Sequence, residues 1–136
     1  MSLNKVTKIY VKPLILDKPG IGYQVFEIVR FASNPIKSLC HEYYAKIGEL
    51  CRSSEYPNIK WSGGSYPNGF HIFKKYEDAK LFMREIPLPA ENYVVFKVEY
   101  NNIVALGFQT ISEYYKTRGA VVIARVRRIL EKVRSI

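Results

Sequence analysis

Runs of β-branched and aromatic residues, interrupted by Pro, Gly and Asn, recur along the whole chain and constrain its fold more than any other feature. Residues 5–12, for example, alternate between apolar and polar side chains and stop at Pro13. Such runs are typical of β-strands. Since Asn tolerates a positive φ, Asn101-Asn102 favours a two-residue type I′ hairpin turn between two of these runs. We therefore predict strands over residues 5–12, 23–31, 69–73, 93–100, 103–110 and 120–126.

Other segments favour helix. Asn34-Pro35 is typical of a helix start, and apolar residues then recur at helical spacing as far as Arg52. A second, shorter helix is predicted over residues 78–85. Beyond residue 126 the apolar residues fit either a helix or an alternating strand, and we expect a short C-terminal helix.

These elements predict an α+β fold: a single domain over residues 1–136, with a mostly antiparallel sheet of about six strands and two to three helices packed on it. The chain has 136 residues, of which 48% are hydrophobic, so one domain can bury a core of its own. No apolar run approaches the roughly 20 residues that a membrane-spanning helix needs, and the first residues lack a secretory signal. We therefore expect a cytoplasmic or otherwise intracellular protein with no membrane partner. The Ile-, Val-, Tyr- and Lys-rich composition favours a viral or archaeal source, and a viral protein would act in the interior of the host cell.

The net charge of +9 is concentrated at the two ends of the chain. Residues 1–18 hold four lysines and one acidic residue, and residues 116–136 hold seven basic residues and one acidic residue. Residues 19–115 hold ten charges of each sign and are therefore neutral. If the two ends are neighbours in the fold, they form one basic face that attracts nucleic acid or another anionic partner. The alternative is that the charge only keeps the protein in solution.

The predicted nucleic-acid site combines these basic ends with an irregular stretch over residues 53–69. Loops of this length are usually functional or mobile. The stretch carries the only Trp of the chain, Trp61, beside Lys60 and before Gly63-Gly64, so it offers a stacking surface and room for a ligand near the backbone. Trp61 fits equally well as a plug at the edge of the core. The candidate nucleic-acid-binding residues are Lys5, Lys8, Lys12, Lys60, Trp61, Arg125, Arg127, Arg128, Lys132 and Arg134.

The sequence carries no motif of a common catalytic or metal site. It has no Gly-rich phosphate loop and no H-E-x-x-H or G-x-S-x-G motif, and Asp17 and Asp78 are its only aspartates. Cys40 and Cys51 are its only cysteines, and on the predicted helix they lie roughly 16 Å apart, too far for a disulfide. The two histidines of the chain provide no zinc-ligand spacing. We therefore predict no metal, no cofactor and reduced thiols.

One stretch resembles known families. Gly69-Phe70-His71-Ile72-Phe73, followed by Ala79 and Phe82, is similar to the strand–helix signature G-[FIL]-[YH]-x-[FT] … A-x-x-[FYW] of ADP-ribosyltransferase-like folds. The same stretch, with Val95-Phe96-Lys97-Val98 and Val104 after it, resembles a group of small phage and viral proteins that carry G-[FI]-H-x-F.

The resemblance to ADP-ribosyltransferases implies a pocket for NAD and a catalytic acid. The chain departs from the family pattern, because neither early strand carries a histidine and no Gln/Glu-x-Glu pair precedes a strand. The resemblance places His71 and Phe73 in the pocket, together with either Tyr23 or Arg30 from the early strand. It implies His71 as a catalytic residue and either Glu99 or Glu113 as the catalytic acid.

Three functional hypotheses remain. The first is a small, basic, non-catalytic protein that binds nucleic acid or another anionic partner. The second is an ADP-ribosyltransferase-like NAD-binding domain with a degenerate site. The third is a protein-interaction module, or a homodimer, that uses exposed aromatic side chains. The segregated charge favours the first hypothesis, and the second ranks next.

Overall fold

The computed structural model describes residues 3–29, 36–38, 44–55, 57–86, 92–114 and 116–133. This part of the chain forms ten β-strands and one α-helix, so the protein is mostly β. The strands are β1 (Lys5–Leu14), β2 (Gly20–Ile28), β3 (Ile36–Ser38), β4 (Tyr44–Ala45), β5 (Leu50–Arg52), β6 (Ile59–Trp61), β7 (Gly64–Tyr66), β8 (Phe70–Phe73), β9 (Tyr93–Ser112) and β10 (Thr117–Lys132), and the helix is α1 (Tyr76–Arg84).

The long strand β9 is the centre of the sheet. One edge of β9 pairs antiparallel with β10, while the other edge pairs with β2 along its first half and with β1 along its second half. Strand β8 pairs with both β10 and β2, and the pairing of Tyr23 with Phe73 closes a circuit of four strands, β2–β9–β10–β8. Strand β5 adds to β10, β3 and β4 continue from β2, and β6 and β7 form a separate hairpin. Strand β1 remains at the edge of the sheet.

The two faces of this circuit carry two separate hydrophobic cores, because side chains alternate between the faces along each strand. The first core lies between the circuit and α1 and includes Val25, Phe73 and Ile123. The second core lies on the opposite face of the same strands and includes Phe26 and Phe70. Adjacent residues such as Val25 and Phe26 therefore stabilise different cores.

Helix α1 follows β8 closely and covers the first core. Its residue Ala79 is fully buried, and its residue Phe82 packs on Phe73 of β8 with ring centroids 5.3 Å apart. The helix has acidic residues in its first turn and Arg84 in its last, as the helix dipole favours. The helix predicted over residues 78–85 is thus present, and it begins two residues earlier. No helix in the described ranges combines the length and the hydropathy needed to cross a membrane.

The prediction of an α+β fold, with two to three helices on a sheet of about six strands, is wrong. Within the described residues α1 is the only helix. The described part of the helix predicted from residue 34 to Arg52 forms β3, β4 and β5 instead, while Asn34-Pro35 and Cys40 lie outside the described residues. Gly48 adopts a φ of 83°, in the left-handed region, which interrupts any helix at this point. Ile36 and Ala45 pair with each other and are both buried. Pairing with the larger sheet therefore overrides the helical spacing of the apolar residues.

The predicted hairpin turn at Asn101-Asn102 and the predicted C-terminal helix are also wrong. Strand β9 continues through both asparagines, although Asn102 has the expected positive φ, at 57°. The Asn101 side chain accepts a hydrogen bond from the backbone N–H of Leu16 and donates one to its carbonyl, so it attaches the β1–β2 connection to β9. Strand β10 continues to Lys132 because residues 126–132 pair with residues 96–101 of β9. The alternating strand pattern of residues 126–132, and not their helical spacing, therefore corresponds to the structure that they form.

Candidate functional site

A cavity of about 590 Å³ lies between α1 and strands β2, β9 and β10. This volume is within the range of about 300–1,000 Å³ that is typical of small-molecule sites. Three lysines and one glutamate give its lining a net positive charge. The lining residues are Tyr23, Tyr76, Lys80, Lys97, Glu131, Lys132 and Val133.

Strand pairing positions the floor of the cavity. Tyr23 of β2 lies opposite Lys97 of β9, and Lys97 lies opposite Glu131 of β10. Directly opposed residues in antiparallel strands share a face and have Cβ atoms about 4.5–5.5 Å apart. A phenol, an ammonium group and a carboxylate therefore form one row across three strands, on the face that α1 covers.

Helix α1 provides the wall of the cavity. Tyr76 and Lys80 are four residues apart and so project from the same side of the helix. The Tyr76 ring meets the Tyr23 ring edge to face, with centroids 5.8 Å apart, and the Lys80 Nζ lies 5.9 Å from the centre of the Tyr76 ring. Both rings are half-buried, so each is held in place while part of it faces the cavity. Aromatic rings beside ammonium groups can stack a planar ligand and attract an anionic one.

No protein-family model matches this chain. No curated protein and no solved structure matches it either. In the described residues, no cluster of His, Cys, Asp or Glu side chains could hold a metal ion. The chemistry of the cavity therefore has to be inferred from its own side chains.

Two of the β10 arginines predicted to bind nucleic acid are paired with carboxylates. Arg125 lies 3.3 Å from a carboxylate oxygen of Glu55, and Arg128 lies 3.1 Å from Glu99, directly opposite it on β9. Lys132, by contrast, lines the cavity. The C-terminal segment thus contributes one lysine of the predicted set to this site, while these two arginines neutralise neighbouring acids.

Arg127 is a residue of the second core. It is 1% exposed, its Nη1 donates a hydrogen bond to the Gln24 side-chain oxygen at 3.0 Å, and its guanidinium carbon lies 4.1 Å from the Phe70 ring centre and 5.1 Å from that of Phe26. Burial lowers the pKa of the Arg127 guanidinium, and Cys51, opposite it on β5, offsets part of this effect. Two aromatic faces thus stabilise this cation. Arg127 is therefore inaccessible to nucleic acid.

The basic residues of the N-terminal segment lie apart from the cavity. Lys5, Lys8 and Lys12 are all exposed on the edge strand β1. Strand β1 pairs with the second half of β9, whereas Lys132 pairs with Phe96 near the beginning of β9. The two basic ends therefore flank opposite edges of β9, and their charges are spread along its length.

The stretch predicted to be irregular over residues 53–69 contains the β6–β7 hairpin. Trp61 is half-buried against the first core, and its ring covers Gly63 so closely that a Cβ atom there would lie 2.5 Å from it. Gly63 therefore accommodates Trp61 itself. Lys60, next to it, is exposed. Neither residue lines the cavity, and Arg134 lies outside the described residues.

The motif histidine of the transferase resemblance is buried. His71 is 4% exposed, and its Nε2 lies 2.9 Å from the Tyr66 hydroxyl, which also accepts a hydrogen bond from the backbone N–H of Leu3. This network fastens the start of the chain to β7 and β8. Phe73, two residues further on, belongs to the first core.

The remaining residues of that resemblance are not gathered around His71. Glu99 forms its ion pair with Arg128 in the half of the β9–β10 hairpin that is remote from the turn, and Glu113 is exposed just after β9. Tyr23 lines the cavity described above, while Arg30 lies outside the described residues.

Five residues of the cavity were not predicted as site residues from the sequence: Tyr76, Lys80, Lys97, Glu131 and Val133. A signal for Lys97 exists, because it is a charged residue within the otherwise mainly apolar strand pattern of residues 93–100. Tyr76 and Lys80 have helical i, i+4 spacing, but the helix was predicted to begin after Tyr76. These side chains meet only because distant strands pair and α1 packs on them.

Proposed function

We propose that the protein binds single-stranded nucleic acid through the cavity beside α1, with its lysines contacting phosphates and a tyrosine ring stacking on a base. One observation carries the proposal: three lysines and two tyrosines from four different elements converge on one cavity. Ammonium groups attract the phosphate backbone by counterion release. Aromatic side chains beside such groups are the usual stacking surfaces of single-strand binding proteins.

The size of the cavity and the partial burial of its two tyrosines favour a single strand over a duplex. The tyrosine rings are half-buried, so a base must enter the cavity to reach them. In a duplex the bases are paired and stacked, whereas an unpaired base can turn outwards and stack on a side chain. A cavity of about 590 Å³ suits one nucleotide at a time.

The proposal is tested by fluorescence anisotropy with labelled single-stranded and double-stranded oligonucleotides at 50 and 200 mM salt. Each phosphate contact of a single strand contributes about −0.7 to the slope of log K against log salt, so three lysines give about −2. The affinity should therefore fall roughly 15-fold between the two salt concentrations. The duplex should bind more weakly than the single strand.

Variants separate the cavity from the general positive charge. Lys97→Gln should reduce the salt slope by about 0.7, whereas Tyr76→Ala should weaken binding by about 1–3 kcal/mol with no change in slope. Lys12→Gln removes the same charge from the exposed strand β1 and is the matched control. An equal effect of Lys12→Gln and Lys97→Gln would contradict binding in the cavity.

A second candidate function, self-association through β1, is favoured by a separate observation. Ile9, Val11 and Ile15 are exposed on or just after this edge strand, and Val11 is completely so. Edge strands with exposed apolar side chains are templates for pairing with another chain. Analytical ultracentrifugation should then show a mass that rises with concentration and that Val11→Lys reduces to the monomer. Ile47→Lys, at another exposed apolar residue, is the control.

A further inference from the structure

The cavity contains one carboxylate that phosphate binding does not explain. Glu131 is exposed, lines the cavity, and lies directly opposite Lys97 in the β9–β10 pairing. A carboxylate repels a phosphate, so a site for the backbone alone would exclude it. Among the described residues neither Glu131 nor Lys97 takes part in an ion pair, so the Glu131 carboxylate is not paired with the Lys97 ammonium group. The carboxylate is therefore available to a group of the ligand other than phosphate.

The chemistry of a carboxylate limits which group that can be. An ionised carboxylate only accepts hydrogen bonds, and it binds most strongly when two parallel N–H groups reach its two oxygens. Guanine presents two such donors side by side, its N1–H and its 2-amino group. Adenine and cytosine present an amino group next to an acceptor nitrogen, which would face the second carboxylate oxygen. Uracil and thymine present one N–H between two carbonyl groups.

The rest of the cavity suits a guanine held in this way. The Glu131 carboxylate lies in a row with Lys97 and Tyr23, and the Tyr76 ring of the helix contacts Tyr23 at the other end of this row. Tyr23 and Glu131 are two strand spacings apart, about 10 Å, so a base that stacks on a tyrosine can point its outer edge towards the carboxylate. Lys80 beside Tyr76 supplies the charge for its phosphate.

We propose that the cavity selects guanine, with Glu131 accepting hydrogen bonds from N1–H and the 2-amino group of the base. This inference rests on the proposed function, since it assigns the base that the nucleotide cavity takes. Glu131 is then a specificity-determining residue, and the lysines bind all nucleotides alike.

The experiment is isothermal titration calorimetry of the full chain with GMP, IMP, AMP and CMP. GMP should bind roughly 5- to 150-fold more tightly than AMP or CMP, which is the discrimination that a good bidentate contact gives. IMP, which lacks the 2-amino group, should have an intermediate affinity. Glu131→Gln should reduce the ratio of GMP to AMP affinity to about 1, because an amide replaces one acceptor by a donor.

Glu113→Gln is the matched control, since it removes the same charge from an exposed residue outside the cavity. It should leave the ratio of GMP to AMP affinity unchanged. Equal affinities for all four nucleotides, lowered alike by Lys97→Gln, would overturn the selection of guanine and leave the nucleotide cavity in place. A Glu131→Gln variant that binds every nucleotide more tightly with GMP still preferred would also overturn it. If neither nucleotides nor single-stranded oligonucleotides bind, the proposed function itself is wrong.

Discussion

Replacement of Arg127 by Met tests whether the second core needs the charge of this side chain or only its volume. Met keeps an unbranched stem but loses the hydrogen bond to Gln24 and the contacts with the Phe26 and Phe70 rings. A hydrogen bond to a charged group contributes about 1.5–3 kcal/mol, and each desolvated cation–π contact about 1–2 kcal/mol. Burial of an ion costs several kcal/mol. Because these contributions nearly cancel, we expect Arg127→Met to have a free energy of unfolding within about 1 kcal/mol of the parent protein.

Arg127→Ala separates volume from charge. It removes the same charge and also the stem, and it leaves a cavity beside the two rings. Deletion of a Met-sized side chain from a core costs about 2–5 kcal/mol, so this variant should be about 3 kcal/mol less stable than Arg127→Met. Urea unfolding with a common m-value measures both differences. If Arg127→Met is as unstable as Arg127→Ala, the prediction is wrong, because the charge would then stabilise the core.

Three further substitutions test other parts of the fold. Burial raises the pKa of the Tyr100 phenol, so the folded state retains this proton more tightly than the unfolded state. The protein should therefore lose stability as the pH rises above about 10. Urea unfolding between pH 8 and 11 should show a smaller loss of stability for Tyr100→Phe than for the parent protein. Burial likewise raises the pKa of Asp78, and Lys75 opposes this effect. The charged carboxylate therefore destabilises the folded state, so Asp78→Asn should increase the melting temperature at pH 7 but not below pH 3.5. An equal gain at both pH values would show that burial of the charge is not the cause. A Cβ atom on Gly107 would clash with the backbone oxygen of Lys5. Gly107→Ala should therefore cost about 1–3 kcal/mol and speed amide exchange in β1. An unchanged exchange rate there would show that β1 does not pack as described.

Local sequence patterns correctly predicted those elements whose secondary structure does not depend on the segments that they pack against. The strand at residues 5–12 and the helix at residues 78–85 are present, since alternation and helical spacing are properties of the segment itself. The predicted helix from residue 34 failed because Ile36 and Ala45 are buried by pairing with neighbouring strands, which the spacing of the segment does not reveal. Asn102 shows the same limit, because its positive φ was predicted correctly but lies within a continuous strand.

The candidate site was predicted less completely than the fold. The positive charge of the C-terminal segment was evident from the sequence, but the positions of its side chains in the fold were not. Arg127 is buried, Arg125 and Arg128 form ion pairs with glutamates, and Lys132 lines the cavity. Lys97 belongs to a segment with no net charge, so composition gave it no weight. A cavity assembled from β2, α1, β9 and β10 depends on strand pairing, and pairing between distant segments cannot be read from any one of them.

The central position of β9 also determines when the chain can fold. Strand β1 is held by residues far along the chain, as the hydrogen bond between Thr7 and Leu106, 99 residues apart, illustrates. Strands β2 and β8 likewise take their longest pairings from β9 and β10. During synthesis the earlier strands therefore leave the ribosome before their partners exist, and their apolar side chains stay exposed until β9 and β10 follow. Folding should accordingly be slow and concerted, and a nascent chain that stalls before β9 should be a substrate for chaperones.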